Sequence, residues 1–333
     1  MAILNQNKPF TLAEANRMSG NAETANLLAE LQQKNDFLDE VPWFPTTHGS
    51  YTKEIRAKEL DGGEFTEANA GIPLIGGATD VITMAVKMYE AESRCDDRIL
   101  QTADDPYQAR EIYDKIKLEG FMQDFNRRLL YPKTAGDDKA IPTLTERKAA
   151  ISEDVSDPAC NFVFDAGGAG TGLTSAWLFE FGRSGFHMIY NKAGSPGIKN
   201  EDKGLERVPA EDGSGYLYAW IRHYQIIANM VATSPRHFMR MANIDPSPGA
   251  KAGEGRFDPD ILIEGMIPYL DDPRSAVLFV TRGVWGQINK SLYDKSNISY
   301  SRREVEGYGP VPEIMGIPIR PWDAISQNES QVA

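Results

Sequence analysis

The stretch that most restricts how this chain can fold is residues 47–92, because it brings almost no core of its own. Ser50 to Leu60 reads SYTKEIRAKEL, with Lys53, Glu54, Arg56, Lys58 and Glu59 mixing both charge signs along one strand. Thr79 to Ala91 places Ile82, Met84, Val86 and Met88 on one face at period two, a strand pattern. Between them lies DGGEFTEANAGIPLIGGA, 18 residues with five glycines. Compact domains join their elements with about 4–6 residues. A charged hairpin with a glycine-rich tip either moves freely on the surface or reaches a neighbour, and this segment alone leaves both readings open.

The remainder has enough material for a folded body. At 333 residues it suits two or three lobes, since single cores stop growing at roughly 250–300 residues. Hydrophobic residues make up 41% and charged residues 25%, which is ordinary globular usage. No apolar run approaches the ~18 residues of a membrane span. The first residues lack a basic segment followed by an apolar one, so no signal peptide is read. Cys95 and Cys160 are too few for a disulfide framework or a four-thiolate metal site. They read as buried free thiols of a chain folded in a cytoplasmic compartment. The net charge of −13, from 35 basic and 48 acidic residues, opposes counterion-release binding to DNA. The balance does not exclude proximity to DNA.

Residues 1–46 read as an arm. Thr11 to Glu14 fits a capping box, giving a short helix over 12–18 that breaks at Ser19-Gly20. A second helix over 22–40 carries a partial stripe of Leu27, Leu28, Leu31, Phe37, Leu38 and Val41. It lacks local partners, so it must pack on something distant or on another subunit. Residues 93–150 contain the clearest helix, over 104–131. Asp104 or Asp105 can cap it, Pro106 suits its first turn and Pro132 stops it. Ile112, Ile116, Phe121, Met122, Phe125 and Leu129 trace one face of it, over roughly 35–40 Å at 1.5 Å per residue.

Residues 151–250 are β-rich. Asn161–Asp165, Ser175–Phe181, His187–Tyr190 and Phe238–Ile244 are strand candidates, and Tyr216–Ala232 is either strand or helix. Loops separate them, notably 192–215, and 246–256 is a linker or turn. Residues 251–325 alternate. A helix runs from Asp258 to about Leu270, a buried strand over Ser275–Thr281, a helix over Gly283–Tyr293, and a short strand pair over Glu313–Pro318 and Arg320–Trp322. Residues 326–333 are polar and read as a frayed tail.

No motif carries chemistry. The glycines from Asp165 to Gly172 (DAGGAGTG) lack the Lys-Ser/Thr of a phosphate loop. The strand-like SAWLFEF follows them where a dinucleotide site needs a helix. His48, His187, His223 and His237 lack zinc-protease spacing, and His187 reads as a core histidine. Asp96-Asp97, Asp104-Asp105 and Asp271-Asp272 mark helix starts and turns, without calcium-loop spacing. No nucleophile elbow is present. Arg127-Arg128 and Arg302-Arg303 suit ion pairs more than phosphate in so acidic a chain. Trp177, Trp220, Trp285 and Trp322 read as core residues and Trp43, between prolines, as a contact residue. Catalytic, cofactor-binding and metal-binding residues are therefore expected to be absent.

The order of parts is arm, long hairpin, long helix, β-rich lobe and returning α/β segment. It resembles the Hong Kong 97-like fold of tailed-phage and herpesvirus major capsid proteins. Several stretches are similar to the short-tailed-phage capsid family typified by phage epsilon-fifteen: TLAEANRM, EVPWFPTTHGSYTKEIRAKELDGGEF, TSAWLFEFGRSGFHMIYNKAGSPGI, HFMRMANID, VTRGVWGQINK and MGIPIRPWDAI. Tyr190-Asn191 departs from that family's Tyr-Pro. The likeness runs from about 10 to 325. It implies an α+β chain with an N-terminal arm over 1–46 and an extended β-hairpin loop over 47–92. A peripheral domain with a spine helix would follow over 93–150, an axial domain over 151–250, a return segment over 251–325 and a tail over 326–333.

The function implied is structural and not enzymatic. The chain would assemble with itself, as hexamers and pentamers, into an icosahedral shell around double-stranded DNA. It would fold in the host cytoplasm and end in the virion. Portal and separate scaffolding proteins are the implied partners, with room for a decoration protein and no membrane, cofactor or small-molecule substrate. The arm starts near Met1, so no long propeptide is expected. Some relatives crosslink subunits through Lys–Asn bonds. Lys53 or Lys58 could supply the lysine, but the asparagine and the glutamate find no match, so a non-covalent shell is expected. The rival readings are an enzyme using loop 165–172 on a nucleotide, and a monomeric binding protein.

Overall fold

The computed structural model describes residues 37–60, 62, 64–67, 74, 76–155, 157, 159–210, 215–249, 255–292, 300–305 and 309–333. The helix expected over 12–18 and most of that over 22–40 lie outside them. In chain order the first elements are α1 (Phe37–Glu40), β1 (Trp43–Pro45), β2 (Tyr51–Leu60), β3 (Gly77–Ala85), β4 (Lys87–Asp96), α2 (Asp97–Leu100) and α3 (Pro106–Leu130). Then come α4 (Leu144–Arg147), β5 (Val163–Asp165), β6 (Thr171–Glu180), β7 (Phe186–Tyr190), β8 (Ile198–Pro209), β9 (Tyr216–Ala232) and β10 (Phe238–Ile244). The last are β11 (Ala276–Val280), α5 (Arg282–Leu292), β12 (Tyr300–Val305), β13 (Gly309–Ile314), β14 (Ile317–Pro321) and β15 (Glu329–Ser330).

Helix α3 forms where the capping chemistry puts it. The Asp105 carboxylate accepts from the Tyr107 and Gln108 amides, Pro106 fills the first turn, and Arg127 and Arg128 sit in the last. Its 25 residues span about 37 Å. It lies across β4 and β9, burying Tyr113, Phe121, Phe125 and Leu129. Polar bonds fix its azimuth on the sheet. Tyr224 Oη donates to the Asp114 carbonyl at 3.0 Å and Tyr89 Oη to Asp124 Oδ2 at 2.5 Å. Arg222 approaches the Asp114 carboxylate at 3.1 Å, and Arg110 bonds Asp202 of β8 at 2.7 Å. Burial still raises the Asp114 pKa against these two arginines.

The sheet under α3 has the order β1-β7-β9-β4, with β8 also on β9. Tyr216–Ala232 resolves as one 17-residue strand, not a helix. The loop expected over 192–215 is overturned in its middle, where β8 spans 12 residues and pairs along β9. Its charges hid it: Lys199, Glu201 and Lys203 are solvent-side ion-pair partners and leave no period-two apolar stripe. Where the apolar pattern predicts one strand over 79–91, the chain forms two. β3 ends at Ala85, and β4 begins at Lys87 and pairs with β9. Side-chain alternation runs straight through Val86, so the pattern cannot reveal the change of partner.

A second sheet, with the order β12-β13-β14-β11-β6-β10-β5 and β15 on β6, forms the centre. Its period-two alternation fills two cores. Trp177, Phe179, Val277 and Phe279 face the core shared with α3. Ala176, Leu178, Met239, Met241, Leu278 and Val280 face the other, closed by α5 and the turns after Phe257. Each buried Phe or Leu contributes about 1.5–3 kcal/mol. The helix expected over Asp258–Leu270 is instead a π-helical turn at Ile261–Met266 and a 3-10 turn at Ile267–Tyr269. The Ile267 amide reaches the Leu262 carbonyl, five residues back, and Pro268 prevents regular continuation.

The frayed tail is also overturned. Glu329 and Ser330 pair with β6. Val332 and Asn243 exchange two hydrogen bonds, at 2.8 and 3.0 Å, and the Ile151 amide donates to the Ala333 carbonyl at 3.0 Å. Under the tail the Glu329 carboxylate accepts from Arg240 at 2.9 Å, Ser175 Oγ at 2.5 Å and the Tyr131 hydroxyl. Polar composition suggests fraying, but here the polar atoms face buried partners.

Candidate assembly interface

Among the described residues, the strands of the hairpin β2–β3 pair only with each other. Its ladder runs from Tyr51 opposite Ala85 to Leu60 opposite Gly77. Val81 on it is half exposed, and beyond its end Phe65 and Leu74 are fully exposed, with relative areas of 111% and 101%. Glu64 and Glu67 flank Phe65 and are also exposed. The base, by contrast, is pinned. The Val86 amide donates to the Ser50 carbonyl at 2.9 Å, and Asn229 Nδ2 donates to the Ala85 carbonyl at 2.6 Å. Thr46 Oγ1 donates to the Gly49 carbonyl and accepts from the Lys192 amide.

Beside that base opens a cleft of about 250 Å³. Met84, Pro142, Ala232 and Phe238 give it apolar walls, and Arg147 and Asn161 give it polar ones. Arg147 is held by the Met230 carbonyl at 2.9 Å, and burial lowers its pKa to about 10. Next to it Lys148 is fully buried. Its Nζ lies 4.3 Å above the Phe238 ring and donates to Asn161 Oδ1 at 3.1 Å, to the Pro235 carbonyl at 2.8 Å and to the Asn161 carbonyl. Burial brings its pKa down to about 7. Among the described residues neither cation has a carboxylate partner.

The first described residues are anchored through α1. Phe37 is fully buried, stacked on Trp322 with centroids 4.2 Å apart, tilted against Phe179 and edge-on to Phe279. Glu40 and Arg320 close the box at 2.7 Å. Trp322 and Trp177 are core residues, as read from the sequence, while Trp220 and Trp285 are only partly buried. Trp43 packs partly buried against the first core.

The residues weighed for chemistry are occupied otherwise. In the glycine loop the amides of Gly167, Gly168 and Gly170 donate to Asp165 Oδ1, the Asn243 carbonyl and Gln331 Oε1. No phosphate cradle is left at those positions, and a strand follows, not a helix. A Cβ on Gly168 would lie 2.3 Å from the Asn243 carbonyl oxygen, so that glycine serves close packing.

Glu180, His237 and Asp271 come together within metal-ligand distance. Yet His237 Nδ1 accepts from the Ser234 amide at 3.1 Å, which places the ring proton on Nε2, facing Asp271 at 3.2 Å. Both Glu180 oxygens accept amides, from Asp271 and Asp272. This is the bonding of a turn, and it opposes ligation through Nε2. Of the other histidines, His187 is buried with Nδ1 lacking a partner among the described residues.

Asp96 and Asp105 cap helices, and Asp272 caps a 3-10 turn. Arg128 pairs with Asp124 at 3.1 Å. Arg302 and Arg303 lie opposite Pro312 and Val311 in the β12–β13 ladder. Cys95 and Cys160 are free and buried, and burial pushes the Cys95 thiol up to about 12. Sequence reasoning missed Arg147, Lys148 and Glu329, because only the fold shows that Lys148 and Glu329 are buried and Arg147 half-buried.

Known proteins agree with this architecture. The family model described as "Major capsid protein GP7" matches residues 19–333. The structure of bacteriophage Epsilon15 from cryo-EM superposes with a TM-score of 0.72 at 21% identity, covering 100% of this chain and 99% of that one. The bacteriophage JBD30 capsid gives a TM-score of 0.49 at 8% identity, covering 88% of this chain and 92% of that one. No curated protein matches the sequence.

Proposed function

The chain belongs to the major capsid protein GP7 family, and from that premise we propose that β2–β3 and the N-terminal segment are the straps that tie its copies into hexamers and pentamers. The protein is a structural component of a phage capsid shell, with the Hong Kong 97-like α+β fold. The observation that carries the proposal is the hairpin. Strands of ten and nine residues pair, among the described residues, only with each other, and fully exposed Phe65 and Leu74 lie beyond their ends. A lone two-stranded hairpin is marginal in water, and only its base is bonded to the body, which supports a neighbouring copy as the surface that holds its outer part. Obligate contacts of this kind often bury more than ~2,000 Å².

In this reading residues 1–46 are the arm, 47–92 the extended loop and 93–150 the peripheral domain around α3. Residues 151–250 form the axial domain and 251–325 the return segment, with 326–333 as the terminal segment. The shell is icosahedral and non-covalent and encloses double-stranded DNA, which the net charge of −13 keeps from adhering. It forms in the host cytoplasm with a portal and a separate scaffolding protein, and its outer face can accept a decoration protein. The chain works by binding its own copies, without catalysing a reaction. The expressed chain, with scaffolding protein present, is expected to give capsomers or megadalton particles by light scattering and negative-stain microscopy. A stable monomer under those conditions refutes the reading. Deleting residues 61–78 should leave a folded subunit that no longer assembles.

A further inference from the structure

The cleft and the exposed loop fit each other in three respects: size, polarity and charge. At about 250 Å³ the cleft is smaller than the ~300–1,000 Å³ of typical small-molecule sites, and suits one large side chain. Its walls are mainly apolar, with Met84, Pro142, Ala232 and Phe238 on them. At its polar side sit Arg147 and, just behind, Lys148, two neighbouring cations without a carboxylate among the described residues. Their depressed pKa values reflect the same uncompensated burial. The cleft therefore suits an apolar knob flanked by negative charge. Glu64-Phe65-Thr66-Glu67 is such a segment, and its Phe65 is fully exposed among the described residues. Leu74, the other fully exposed apolar residue near the tip, has Pro73 and Ile75 beside it and no acid.

In its own chain the knob stands away from the cleft. Met84 lines the cleft and lies opposite Thr52 at the near end of the ladder, while Leu60 lies at its far end. Eight residues of strand carry Leu60 about 27 Å away. Phe65 follows five residues later and is fully exposed, outside its own chain's cleft. The extended hairpin favours delivery by another copy.

We propose that Phe65 of one copy seats in the cleft of a neighbouring copy, with Glu64 or Glu67 facing Arg147 there. This rests on the shell reading above and gives the strap a specific docking point. The contact is heterologous, knob on one face and hole on another, so it repeats around a ring. Charge opposite charge would set its register.

The test uses the full chain assembled with scaffolding protein. F65C/P142C, with F65C and P142C alone as controls, is oxidised in assembled particles and run without reductant. The expected result is a ladder of disulfide-linked oligomers only in the double variant. Both native cysteines are buried and give a low background. Particles without that ladder overturn the docking point while leaving the shell reading intact. A disulfide confined to single chains overturns it too, and so does a ladder from L74C/P142C in place of F65C/P142C. A second readout is F65S, expected to lower particle yield at least tenfold with unchanged melting of the subunit. A yield within twofold of the parent overturns the proposal. If the parent chain forms no particles at all, the shell reading itself falls and this inference with it.

Discussion

Glu329→Ala probes how firmly the C-terminal residues are bound into the central sheet. The side chains of Glu329 and Arg240 are 7% and 5% exposed and 2.9 Å apart. The carboxylate also accepts from Ser175 Oγ and the Tyr131 hydroxyl. Arg240 keeps Ser175 Oγ at 2.9 Å and the Lys148 carbonyl at 2.8 Å, but its charge has Glu329 as its counterpart. Removing one member of a buried pair costs about 3–5 kcal/mol, because the other charge stays buried without compensation. For 333 residues, an unfolding entropy of about 2.1 cal/mol/K per residue totals roughly 700 cal/mol/K, so the expected fall in Tm is about 4–7 °C. The assay is thermal unfolding of dispersed subunits followed by circular dichroism. The double variant Arg240→Met with Glu329→Met should lose less than Glu329→Ala alone, since no charge is left buried. A Tm change under about 1 °C for Glu329→Ala, or a double variant as unstable as the two single changes added together, would refute the coupling.

Two further outcomes follow from buried groups. Phe37→Ala empties the aromatic box around Trp322 and should cost about 3–5 kcal/mol, read as a lower denaturation midpoint with unchanged slope. For Lys148 the folded pKa is about 7 against an ordinary value of 10.5. The unfolded chain therefore binds more protons between these pH values, and stability from this residue rises as pH rises through that window. Below about pH 7 the penalty is fully present. Parent and Lys148→Met stability, compared from pH 6 to pH 10, should show the parent gaining on the variant, and parallel curves would contradict the assignment.

Sequence patterns located what depends on local geometry. Asp105 and Pro106 start α3, and the alternation in β6, β10 and β11 survives burial on both faces, so these elements fall close to where the pattern puts them. Local signals failed where the deciding partner is distant. β8 looks like a loop because its outward charges pair with one another and its ladder lies on β9. The polar run at 326–333 looks frayed because Arg240 and Asn243 are far away in sequence. The likeness to phage shells was legible in the order of parts and in stretches such as HFMRMANID. The cleft was not, since Met84, Pro142, Arg147 and Phe238 converge only through the fold.

The split of residues 77–96 into two strands has a mechanical consequence. Val86 joins one ladder, on β2, to another, on β9, while the Asn229 amide grips the chain at Ala85. The Val86 amide also holds the Ser50 carbonyl at the foot of β2, so both strands of the hairpin are clamped where they leave the body. A force applied at the tip is therefore carried through the clamp into β9, the longest strand described, and the hairpin acts as a lever fixed to the body.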